Sequence, residues 1–139
     1  MGRDEKTITQ PGPLDTINNL TAAINQGDLA AMLSFFERDA VLAVQPLAGQ
    51  AGQIAKGDVA IREAYAGFVA LRPALHRQAQ QLVQADNIAL HFSRWALTAT
   101  SSDGKKVERT GVSADVLRKQ SDGRWLVSIY NPYGTSIME

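Results

Sequence analysis

The second half of the chain constrains the fold more than any other feature. From Pro73 onwards four strand-like segments follow one another, at roughly 75–85, 88–100, 107–119 and 124–131, with only "ADN", "SSDGKK" and "QSDG" between them. Parallel neighbours need a crossover of about a dozen residues or more, and these turns are far shorter. The segments must therefore form an antiparallel meander. Such a sheet needs an apolar cover on at least one face, and only the first half of the chain can supply it.

That half reads as helices. From about Asp15 to Gln26, Ile17, Leu20 and Ile24 recur at spacings of three and four, which sets them on one face. Gly27 fits the position after a helix end, where φ is often positive, and Asp28 can cap the next helix. Leu29, Met32, Leu33 and Phe36 then keep helical spacing. "DAVLAV" (39–44) reads as a short strand and residues 45–57 as a loop rich in Gly, Gln and Ala. Asp58 reads as the cap of a third helix carrying Ile61, Ala64, Tyr65 and Phe68, which must end near Arg72 because Pro73 disfavours the helical conformation before it. Helices first and strands after define an α+β fold: three N-terminal helices packed on a curved, mainly antiparallel sheet. A polar arm over residues 1–12, expected to be disordered, precedes a single domain over 13–139.

Composition narrows the partners. Fourteen basic and fourteen acidic residues cancel, so no net field favours nucleic acid or an anionic membrane. The chain has no cysteine, which excludes disulfides, thiol nucleophiles and thiolate metal sites. No apolar run approaches the eighteen or so residues of a membrane helix, and the start lacks a signal-peptide core. The cytoplasm is the expected location. No phosphate-binding glycine loop, nucleophile triad or HExxH is present, and nothing points to a cofactor.

Alternation along the strands sorts the polar residues. In 88–100, Ile88, Leu90, Phe92 and Arg94 share one face, and His91, Ser93, Trp95 and Leu97 the other. In 107–119, Gly111, Ser113, Asp115 and Leu117 oppose Val112, Ala114, Val116 and Arg118. In the last strand Leu126, Ser128 and Tyr130 oppose Trp125, Val127 and Ile129. Asp115 stands out as the only acid within "VSADVL". Either it pairs with Arg94 or Arg118 on the outer face, or it faces a pocket with a raised pKa and moves a proton. His76 and His91 have no second ligand at metal spacing and read as packing or surface residues.

The segments "AAINQGDLAAMLSFFERDAVLAV" (22–44), "KGDVAIREAYAGF" (56–68), "HFSRWALTAT" (91–100) and "DGRWLVSIYNPYG" (122–134) resemble the nuclear-transport-factor-two-like superfamily. This cone-shaped α+β fold includes ketosteroid isomerase and the SnoaL-like polyketide cyclases. The chain is most similar to small SnoaL-like proteins whose last strand ends in Ile-Asp-Asn-Pro; here "IYNP" puts Tyr130 in place of the acid. The resemblance to ketosteroid isomerase places its general base near Val44 or Gln45, its helical tyrosine at Leu20 and its protonated aspartic acid at Asp115. One of those three roles keeps a suitable side chain, which argues against steroid isomerisation.

The resemblance also implies a pocket inside the cone, and turns Asp115 towards it. Its expected lining is Leu20, Phe36, Val44, Tyr65, Phe68, Phe92, Arg94, Ser128 and Asn131, with Asp115 as the catalytic acid–base residue and Tyr130 or Arg94 supporting it. The expected ligand is hydrophobic, with polycyclic molecules among the candidates, bound by a pocket protein or weak isomerase- or cyclase-like enzyme. The alternative is a non-catalytic interaction module with a filled cone. In either case Trp95, Leu97, Val112, Val116 and Ile129 on the outer sheet face are expected to form a homodimer.

Overall fold

The computed structural model describes residues 11–44 and 53–138. The arm expected over 1–12 therefore lies outside the described residues except for Pro11 and Gly12, and so do Gln45 and Pro46. The chain enters helix α1 (Pro13–Gln26) through a proline in its first turn, where a missing N–H costs nothing. Gly27 ends it at φ 68°, and the Asp28 N–H closes on the Ala23 carbonyl at 3.0 Å. Asp28 then caps α2 (Leu29–Ser34) by accepting the Ala31 N–H at 3.1 Å. Both junction residues act as their types suggest.

Helix α2 stops short of Phe36, which the helical spacing had included. The Phe35 carbonyl accepts the Val127 N–H at 2.8 Å, and Phe36 pairs in register with Val127. Sheet pairing thus takes over before the last turn forms, and strand β1 spans Phe36–Val44. The presumed loop that follows also contains a strand, β2 (Gln53–Lys56), paired antiparallel to Val41–Val44. Helix α3 covers Asp58–Val69; Gly57, at φ 87°, is its cap, and Asp58 sits in its first turn.

The meander then runs through β3 (Ala74–Ala85), β4 (Ile88–Thr100), β5 (Lys106–Lys119) and β6 (Trp125–Tyr130), and a short 3-10 turn (Gly134–Met138) ends the described chain. Strand order across the described sheet is β2-β1-β6-β5-β4-β3. All neighbours are antiparallel except β1 and β6. That parallel pair joins the first half of the chain to its last strand, so the sheet is mixed, open and curved, with three helices on its inner side. Ile17, Leu20 and Ile24 of α1, Met32 of α2 and Ile61 of α3 bury there against Leu117 and Val127.

Two bulges change which side chains point inwards. Between β3 and β4 the register passes from Arg77↔Trp95 to Ala79↔Arg94, so Gln78 is an extra residue. Between β5 and β6 it passes from Val116↔Ile129 to Leu117↔Val127, so Ser128 is extra. Strict alternation had put Ser128 and Tyr130 together against Trp125 and Val127. The bulge overturns that: Trp125, Val127 and Tyr130 all bury in the core, while Ile129 is 45% exposed. Ser128 turns its hydroxyl to Glu37 Oε1 at 2.7 Å instead.

Candidate functional site

A belt of polar side chains crosses the inner face of the sheet. In its register Leu82, His91 and Asp115 form one row, Gln80, Ser93 and Ser113 the next, and Arg77, Trp95 and Gly111 the third. His91, Ser113 and Asp115 are wholly buried. Each is satisfied, as buried polar groups must be.

Asp115 is bound at both oxygens. Oδ1 accepts the Asn131 backbone N–H at 2.9 Å, and Oδ2 lies 2.8 Å from His91 Nδ1. Neither Arg94 nor Arg118 reaches it: both stand on the outer face, and Arg118 Nε pairs with Glu37 at 3.0 Å. On its other side His91 Nε2 meets Gln80 Oε1 at 2.8 Å, while the Gln80 amide N–H donates to Asn18 Oδ1 at 3.1 Å. With that orientation Gln80 Oε1 can only accept, so His91 carries a proton on Nε2. One further proton must then lie between Nδ1 and Oδ2, since two lone pairs would repel at that distance. Whichever atom holds it, the pair is neutral as a whole. Burial pushes the Asp115 carboxyl above its usual range, against the pull of the His91 hydrogen bond.

Arg77, in the third row, reaches across to the second. Its Nε donates to Thr21 Oγ1 at 2.9 Å, Nη1 to Ser93 Oγ at 2.8 Å and Nη2 to the Tyr130 hydroxyl at 2.5 Å. Ser93 in turn shares a 2.6 Å hydrogen bond with Ser113. Desolvation works against the guanidinium charge, but Tyr130 and then Asp115 outweigh it and raise its pKa.

Beyond this belt, between α1, α3 and the sheet, lies a cavity of about 200 Å³. Its wall is mostly apolar, from Ile24, Leu42, Phe68, Leu75 and Leu97 among others, with Arg77, Tyr65, Tyr130 and Tyr133 among its polar points. Trp95 closes one side, its indole N–H fixed on the Pro132 carbonyl at 2.7 Å. Gly111, opposite Trp95, leaves the ring its space: a Cβ there would lie 2.5 Å from the indole. Tyr65 and Tyr130 both pack edge-on to Phe36. The Tyr65 hydroxyl is buried and has no hydrogen-bond partner among the described residues. Burial first, and then Tyr130 and Asp115, push its phenol well above the ordinary tyrosine value. Burial also raises the Tyr130 phenol, opposed by Arg77 and helped by Asp115.

The structure brings some expected site residues together and separates others. Val44, Tyr65, Phe68 and Tyr130 line the cavity. Leu20 and Phe36 belong to the packed core beside it, and Asp115 lies in the polar belt without lining it. Phe92 and Arg94 occupy the opposite face of the sheet, where Phe92 is 38% exposed, because β4 alternates without a break there. Ser128 serves Glu37. Asn131 is a turn residue, its side chain bonded to the Gly134 carbonyl and the Tyr133 N–H at the cavity rim.

Trp95 and Leu97, expected on the outer surface, face the cavity. Arg77 escaped notice because alternation alone assigns it no partner. The signal that finds it is its shared parity with Leu75, two residues earlier on a strand that α1 covers. Among the described residues no three His, Asp or Glu side chains gather as metal ligands, and no helix is long and apolar enough to cross a membrane.

With this geometry in view, the comparisons are consistent. Residues 17–127 match the family model of the SnoaL-like domain. The chain belongs to that family. Solved structures agree on the fold. A nuclear transport factor 2-like superfamily protein from Salmonella enterica superposes with a TM-score of 0.71 at 19% identity, over 86% of this chain and 87% of that one. A ketosteroid isomerase-like protein from Erwinia carotovora gives 0.67 at 22%, over 85% and 89%. An NTF2-like protein with a cystatin-like fold from Novosphingobium aromaticivorans gives 0.64 at 16%, over 84% and 75%. No curated protein matches the chain by sequence.

Proposed function

We propose that this SnoaL-like domain is a small-molecule binding protein, or a weak acid–base enzyme, whose ligand occupies the cavity beside Arg77, Tyr65 and Tyr130. The observation that carries the reading is a mostly apolar hollow of about 200 Å³ whose lining includes Arg77, Tyr65, Tyr130 and Tyr133. An apolar cavity of about 150 Å³ holds one benzene ring, and drug-sized ligands fill roughly 300 Å³ or more. The volume thus favours one ring over the several that the family resemblance suggested. If proton transfer occurs, the groups facing the ligand are the two phenols. Asp115, enclosed on both oxygens, supports the site by holding His91 and the rim at Asn131.

Toluene is the direct probe. On titration it is expected to shift the methyl resonances of Ile24, Leu42, Leu75 and Leu97 in the folded protein, and filling the space with Ala64→Phe is expected to remove those shifts. Unmoved resonances at saturating toluene would overturn the reading in favour of a filled cone.

A second feature supports self-association. On the outer face Val83, Leu90, Val116 and Ile129 are cross-strand partners in one row over four strands, and Val83, Leu90 and Ile129 are 56%, 43% and 45% exposed. Exposed apolar surface of this kind fits a homodimer through the sheet. Leu90→Glu is expected to convert a dimer to a folded monomer in analytical ultracentrifugation; an unchanged sedimentation coefficient would sink that assignment. The balanced charge and lack of cysteine support a place in the cytoplasm, with no nucleic acid or membrane as partner.

A further inference from the structure

The polar groups on the cavity wall are not balanced in charge. Arg77 spends its three observed bonds on neutral oxygens, those of Thr21, Ser93 and Tyr130. No carboxylate among the described residues forms an ion pair with it. The acid in its field, Asp115, belongs to a pair that is neutral with His91. A partly buried guanidinium therefore faces a mostly apolar cavity with no paired carboxylate among the described residues. Such an arrangement is costly unless something else supplies the counter-charge.

The two phenols point to the same deficit. Tyr130 accepts from Arg77, so its own O–H proton is still free to be donated. The Tyr65 O–H has no acceptor among the described residues. Among the described residues of the lining, Arg77, Tyr65 and Tyr130 thus bring N–H or O–H donors and one positive charge. Around them the wall is apolar.

We infer that the cavity is built for a compact apolar monoanion, a single ring or short chain bearing one carboxylate, whose oxygens take the Tyr65 and Tyr130 protons beside the Arg77 charge. This rests on the reading of the cavity as a binding site. It adds the sign of the ligand's charge and the residues that meet it. A guanidinium suits this task better than an ammonium, because its planar fork can hold Thr21, Ser93 and Tyr130 and still present N–H groups to a carboxylate.

The test compares benzoate, benzamide and toluene on the intact chain at neutral pH by calorimetry and by chemical shift. Benzoate is expected to bind at least about tenfold tighter than benzamide, its neutral analogue of the same shape. Tyr65→Phe, which removes only the unpartnered hydroxyl, is expected to weaken benzoate by roughly 10-fold to 100-fold and to narrow the gap to benzamide. Arg77→Met is expected to reverse the order of the two. Should that variant fail to fold, Tyr65→Phe decides alone. If toluene and benzamide bind as well as benzoate, the anion inference falls and the pocket stands. If none of the three binds, the pocket reading itself falls and takes this inference with it.

Discussion

The two faces of the central sheet invert the usual pattern. The covered face carries an arginine, a histidine, an aspartic acid and two serines in adjacent rows, whereas the open face carries valine, leucine and isoleucine in a line across four strands. An inward-facing polar row is tolerable because each member is satisfied by the next, from Asn131 through Asp115, His91 and Gln80 to Asn18. An outward-facing apolar row is tolerable only if something covers it. The inner row therefore speaks for a specific interior, and the outer row for a missing neighbour.

The difference makes unequal demands on single residues. Asp115→Ala strands the His91 nitrogen and the Asn131 N–H in a dry interior, and is expected to cost about 3–5 kcal/mol. Asp115→Asn keeps both bonds, because its carbonyl can accept from Asn131 and its amide can donate to His91 Nδ1. Its cost is expected to stay within about 1 kcal/mol. Chemical unfolding of the two variants separates a structural dyad from a simple void. Equal losses would show that the charge, not the hydrogen bonding, holds the row together.

The next effect is smaller and lies where the polar belt meets the cavity. Gly111→Ala puts a methyl against the Trp95 indole, which cannot retreat without losing the Pro132 carbonyl. Overpacking of this kind typically costs about 1–3 kcal/mol. Because Trp95 is a cavity wall, its fluorescence is expected to shift along with the stability. A spectrum identical to the parent's would place the strain elsewhere and break the link between this row and the cavity.

Much of this fold was legible, since it rests on local rules. Short turns dictated the meander, and Gly27 and Asp28 marked a helix junction that the structure reproduces. The site was legible only where alternation ran unbroken. On β4 and β5 the faces containing His91 and Asp115 came out together, yet the same rule puts Phe92 and Arg94 outside. On β6 one extra residue at Ser128 reversed the rest of the strand. Bulges leave no periodic trace, so Ser128 was assigned to the wrong company. Arg77 was missed for another reason: the sequence does not say which acid a buried arginine lacks. The strand at Gln53–Lys56 was hidden because four residues are too few to display a period.

On the outer face a polar network is worth less than the buried row. Glu37 gathers Ser128, Gln120 and Arg118 there, at 2.7, 2.8 and 3.0 Å. Unlike Asp115 it keeps contact with solvent, and its side chain is 19% exposed. Partial burial works against its charge, but the hydrogen bonds from Gln120 and Ser128 and the charge of Arg118 win and hold its carboxyl below the usual range. A carboxyl depressed in the folded state adds stability above its unfolded pKa and loses it as pH falls through the folded value. Glu37→Gln is therefore expected to cost roughly 0.5–1 kcal/mol at pH 7 and progressively less below pH about 4.5, as the parent's own carboxyl takes up a proton. Urea unfolding of both proteins at pH 7 and pH 3 measures the gap. A gap that stays constant would mean that Glu37 acts through shape alone, and that the outer network, like the apolar row beside it, owes nothing to charge.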